Sequence, residues 1–130
     1  MTRPRPALLR PFPIVRLAGS VRGSRARIRL LTVRAPRGAR VEVRCKGKGK
    51  GCPFRVMRVR VPRGLARSGL VRVKRIHGRS LRAGTRLEIR VTGRGRIGKH
   101  VTFRFRARRV PLRKDGCLLP GRTRAVSCQG

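Results

Sequence analysis

The 130-residue sequence has no Trp, no Tyr, three acidic side chains and two histidines. So few titratable groups leave little for acid–base or nucleophilic chemistry, and an enzyme is not expected. The one aspartate, Asp115, stands far along the chain, so no Ser/His/Asp set can be assembled. His77 and His100 have no carboxylate or cysteine arranged around them in sequence and read as surface residues. Glu42 and Glu88 are flanked by arginines and read as cross-strand charge partners. No cofactor, metal or small-molecule substrate is expected. Apolar runs fall well short of the roughly 18 residues a membrane helix needs. Ala7-Leu8-Leu9 is likewise too short for the apolar core of a signal peptide. That leaves a cytoplasmic protein, a piece of a longer exported chain, or a misplaced start.

What the sequence has in excess is positive charge. Lys plus Arg is 38, and the formal net charge is +35. Arginine accounts for all but Lys46, Lys48, Lys50, Lys74, Lys99 and Lys114. Codon usage in a GC-rich genome would also favour arginine, but the physical consequence is the same. The surface potential is strongly positive, polyanions are attracted, and salt weakens the attraction.

Apolar residues make up 38% of the chain, enough for one modest core. Their spacing has period 2 rather than 3.6, so the expected class is all-β. Phe12 to Leu17 opens the first strand. Ala26, Ile28 and Leu30 alternate with arginines in a second, and Val41, Val43 and Cys45 in a third. The segment from Phe54 to Val61 changes phase, for which a bulge near Met57 would account. Leu70 to Ile76, Leu87 to Val91 and Val101 to Ala107 complete about seven short antiparallel strands. The one candidate helical turn is Leu65-Ala66-Arg67. This pattern predicts a sandwich or, alternatively, a small barrel, with apolar residues inward and arginine outward. Residues 1–11 form a flexible Pro/Arg-rich lead-in, 12–110 the β-domain, and 111–130 an irregular segment closed by a cysteine pair.

Two glycine-rich stretches resemble phosphate-binding motifs. Gly93-Arg94-Gly95-Arg96-Ile97-Gly98 fits G-x-G-x-x-G, but a strand rather than a helix follows, and His100 stands where a P-loop needs a hydroxyl. It reads as a hairpin turn. Lys46-Gly47-Lys48-Gly49-Lys50-Gly51 concentrates ammonium groups on a permissive backbone and could cradle an anion. The candidate anion-binding residues are Lys46, Lys48, Lys50, Arg94, Arg96 and Lys99. Phe103 and Phe105 fall on the apolar face and read as core, so nucleic-acid contact would be to phosphate rather than by base stacking.

Cys45, Cys52, Cys117 and Cys128 allow three disulfide pairings. The sequence-local one, Cys45 with Cys52 and Cys117 with Cys128, closes two small loops containing Gly or Pro. Disulfides would place the domain outside the reducing cytosol. Zinc and free thiols are the rivals, although the close Cys pairs usual for zinc are missing.

Several strings resemble an uncharacterised module of exported multidomain proteins from GC-rich actinobacteria. They are Phe12-Pro13-Ile14-Val15-Arg16-Leu17-Ala18-Gly19, Pro36-Arg37-Gly38-Ala39-Arg40-Val41, and Cys45-Lys46-Gly47 with Gly51-Cys52-Pro53. The stretch from Leu81 to Thr92, Gly95-Arg96-Ile97-Gly98-Lys99, and Cys117-Leu118-Leu119-Pro120-Gly121 with Cys128 agree. The resemblance implies an immunoglobulin-like accessory domain at the cell envelope with paired cysteines. The expected role is a non-catalytic, cationic module, secreted or envelope-associated, that binds wall polyphosphate, acidic glycan or nucleic acid. An intracellular nucleic-acid-binding protein and a ligand-free structural spacer are the alternatives.

Overall fold

A computed structural model describes residues 5–47, 49–64 and 66–128. Among them are nine strands: β1 (Ile14–Arg22), β2 (Arg25–Pro36), β3 (Arg40–Lys46), β4 (Val56–Arg60), β5 (Ser68–Arg72), β6 (Ser80–Arg82), β7 (Arg86–Thr92), β8 (Gly98–Arg106) and β9 (Arg109–Leu118). They form two antiparallel sheets and no closed barrel. In the four-stranded sheet β1 lies along one edge of β2, while β5 and β6 divide the other edge. The five-stranded sheet runs β4-β3-β7-β8-β9. Pairing of β2 with β1 and β5, of β3 with β7, and of β7 with β8 is the order of an immunoglobulin-like sandwich, here extended by β9.

Alternation explains the two faces. Ile28, Leu31 and Val33 of β2 meet Val43, Leu87, Ile89, Val101, Phe103 and Phe105 of the other sheet in one apolar cluster. Each fully buried side chain of this size contributes about 1.5–3 kcal/mol, against about 0–1 kcal/mol for an exposed ion pair. The core therefore holds a chain whose surface repels itself. Phe103 and Phe105 are core residues, as expected.

The structure corrects several expectations. The β3–β4 register is continuous, with no bulge at Met57; the phase changes before β4, in the irregular stretch after Phe54. A register shift falls instead between Ala18 and Gly19, opposite Arg29. It turns Leu31 inward and leaves Leu30 on the outer face. Gly19 is needed there, because a Cβ would collide with the Arg27 carbonyl oxygen. The helical turn lies at Lys74–Ile76, not at residues 65–67, of which Leu65 is outside the described residues. A strand, β9, occupies residues expected to be irregular; residues 119–128 do form an irregular segment closed by a cysteine pair. Part of the lead-in is docked: Leu9 is buried, its N–H donates to the Ile97 carbonyl at 3.0 Å, and the Ile97 N–H donates to Ala7 at 2.9 Å.

Both histidines also depart from expectation. β5 and β6 leave a gap along the edge of β2, and His77 fills it. The Leu31 N–H donates to His77 Nε2 at 3.0 Å. His100, 8% exposed, lies beneath the C-terminal segment. The cysteines pair locally, Cys45 with Cys52 and Cys117 with Cys128, and none is free.

Candidate anion-binding site

The expected cations do not form one site. Register places Lys46 opposite Arg86 at one end of the five-stranded sheet, and Arg40 opposite Thr92 at the other. Seven residues of strand separate these ends by about 20 Å. Lys46 and Lys50 sit at the first end. Arg94, Arg96 and Lys99 belong to the turn and strand start at the second. Lys48 lies outside the described residues.

Two of these cations are committed locally. Lys50 Nζ donates to the Ala83 carbonyl at 3.1 Å, which ties the glycine-rich loop to the β6–β7 turn. Lys99 Nζ donates to the Pro13 carbonyl at 3.0 Å, stands 3.4 Å from Asp115 and lies over the Phe12 ring. Arg94 and Arg96 are exposed on a hairpin turn, with Gly95 at φ +68°. The fingerprint-like glycines therefore serve the turn between β7 and β8, and no helix follows them.

Charge is segregated between the sheets. Glu42 is on β3, Glu88 on β7 and Asp115 on β9, so every acidic side chain of the protein belongs to the five-stranded sheet. Glu42 accepts from Arg58 at 2.9 Å and lies 3.5 Å from Arg90, which in turn reaches Glu88 at 3.1 Å. Glu88 also meets His100 Nε2 at 3.1 Å. Burial alone would raise the pKa of Glu88. The His100 hydrogen bond and the charges of Arg90, His100 and Lys46 outweigh it and hold the carboxyl below 4.5. Glu42 is likewise lowered, with Arg44 and Arg58 outweighing burial. The cross-strand reading of both glutamates holds.

The four-stranded sheet has no such compensation. Its outer face carries Arg16, Arg22, Arg25, Arg27, Arg34, Arg72 and Arg82, all exposed. None of them has an ion-pair partner among the described residues. Arg22 is directly opposite Arg25, and Arg25 directly opposite Arg82, a row of three guanidinium stems across β1, β2 and β6. Strands lie about 4.8 Å apart, so like charges in this register repel.

Backbone hydrogen bonds gather further cations around that row. The Ala83 N–H donates to Ser24 at 2.8 Å, Arg82 to Lys50 at 2.9 Å, and Arg108 to Gly23 at 2.7 Å. The β1–β2, β6–β7 and β8–β9 turns and the glycine-rich loop thus meet at one end of the sandwich. This pole presents Arg22, Arg25, Arg82, Arg108 and Lys46. Sequence reading pointed to Lys46 and to outward arginine rows in general, but not to Arg22, Arg25, Arg82 and Arg108 in particular, because their convergence depends on strand pairing that no local motif encodes.

Compared with protein-family models, curated proteins and solved structures, the chain matches none. Among the described residues, no helix is long and apolar enough to cross a membrane.

Proposed function

We propose that this protein is a non-catalytic, cationic β-module that binds anionic polymers through the pole built around Arg22, Arg25 and Arg82. The observation that carries the reading is the in-register arginine row on a sheet without any acidic side chain. Direct like-charge neighbours cost stability, of order 0.2–1 kcal/mol per pair, and a bound polyanion offsets that cost. Counterion release from the polymer drives association, each neutralised phosphate adding about 0.9 to the salt slope on duplex DNA. With no Trp or Tyr in the chain and Phe103 and Phe105 in the core, contact is to the charged backbone and is indifferent to sequence.

Wall polyphosphate, acidic glycan and nucleic acid share the chemistry the pole would recognise. Two disulfides fit an oxidising compartment, which favours an exported or envelope-associated setting over an intracellular one. Binding to heparin and to duplex DNA across a salt series tests the reading. A logarithmic slope of about 3 or steeper is expected. Absence of binding even at low salt would leave the ligand-free spacer.

A further inference from the structure

The outer face of the five-stranded sheet holds a second feature that a cationic coat does not require. A cavity of 930 Å³ lies between β7–β9 and residues 123–128. Its floor is polar and buried: Glu88 is 5% and His100 8% exposed, joined at 3.1 Å, with Thr102 beside them. Register sets Glu88, Thr102 and Lys114 in one row across β7, β8 and β9. Arg86 stands next to Glu88 along β7, and Arg124 comes from the facing segment.

The charges decide what this cleft would take. Glu88 is already engaged by His100 and Arg90, with Arg86 4.0 Å away. Asp115 is occupied by Arg113 at 2.7 Å and Lys99 at 3.4 Å. No group of acidic, His or Cys side chains suited to a metal occurs among the described residues. Lys114 and Arg124, by contrast, have no carboxylate partner among the described residues. The cleft is therefore matched to an anion. Its volume lies in the range of small-molecule pockets, about 300–1,000 Å³, and exceeds what a bare ion fills.

The facing wall is fixed in place. The Cys117 and Val126 backbones exchange two hydrogen bonds of 2.8 Å, and Cys117 is bonded to Cys128. Gly116 permits this approach: a Cβ there would sit 3.2 Å from the Val126 carbonyl oxygen.

We infer that this cleft binds a small phosphomonoester of sugar-phosphate size. Lys114 and Arg124 hold the phosphate, Thr102 offers a hydroxyl, and the Cys117–Cys128 bond holds the wall. The inference is independent of the polymer-binding pole.

Isothermal titration with glucose 6-phosphate, inorganic phosphate and glucose at constant ionic strength tests it. Saturable one-to-one binding of glucose 6-phosphate is expected, with weaker phosphate and no glucose binding. The Lys114→Gln/Arg124→Gln variant should weaken glucose 6-phosphate at least tenfold, and the Arg22→Gln/Arg25→Gln/Arg82→Gln variant should leave it unchanged. A Cys117→Ser/Cys128→Ser variant, checked for a folded sheet by circular dichroism, should also lose it. Equal loss in the Lys114/Arg124 and Arg22/Arg25/Arg82 variants, several weak sites, or no heat at millimolar ligand would overturn the site.

Discussion

Arg113 Nη1 donates to the Val15 carbonyl oxygen at 2.8 Å, joining β9 of one sheet to β1 of the other. The same guanidinium makes two hydrogen bonds to Asp115 and lies 5.4 Å from the Phe103 ring centroid. It closes the open edge of the sandwich. An ion pair this exposed contributes little, so the bond to Val15 and the cover over Phe103 dominate.

Arg113→Ala should therefore lower unfolding stability by about 1–3 kcal/mol, the usual cost of losing a charged hydrogen bond. Arg113→Lys should recover part of it, lacking the planar fork. Urea denaturation checks both; an Arg113→Ala midpoint equal to that of the parent protein would count against the seam.

Arg108 occupies the β8–β9 turn at φ +60°, a conformation glycine adopts without strain. A non-glycine residue there costs roughly 1–2 kcal/mol. Arg108→Gly should raise stability by about 1 kcal/mol while weakening heparin binding. Opposite changes in the two measurements would mark Arg108 as a residue kept for its charge. A stability gain with unchanged heparin affinity would remove it from the pole.

Acid should destabilise the protein through its three carboxylates. Hydrogen bonding from Arg113 is the largest influence on Asp115 and, with Arg113 and Lys99 charge, holds it below 3.8 against burial. Glu42 and Glu88 are held below 4.5. A carboxyl depressed on folding stabilises fully above its unfolded pKa and loses that contribution as pH falls through the folded value. Urea midpoints should be level from neutral pH to about 5 and fall steadily below about 4. Glu88→Gln should flatten part of that fall. A midpoint constant from about pH 5 to about pH 3 would contradict the network.

Much of the sandwich was legible in alternation alone, since Leu87-Glu88-Ile89-Arg90-Val91 admits one apolar face. The bulge of β2 was not. Leu30-Leu31 offers two equivalent residues for one inward position, and Gly19 on the partner strand decides between them. β9 escaped because its inward positions include Arg113 and Asp115, which serve the edge of the sandwich rather than its core. The burial of His100 was hidden for another reason: its cover comes from a segment that a disulfide folds back across the sheet. The loop lysines were prominent as a motif, yet Lys50 is used to tie that loop down. The arginine row is spread over positions 22, 25 and 82 and exists only once β1, β2 and β6 are paired.

The most direct measurement of the central claim compares salt slopes for heparin binding between two variants of matched design. Arg22→Gln/Arg25→Gln/Arg82→Gln should make the slope shallower by about 2–3. Arg40→Gln/Arg94→Gln/Arg96→Gln, three exposed arginines at the opposite end, should change it by less than about 1. Equal losses from the two variants would contradict a localised pole and show that the charge acts as a uniform coat.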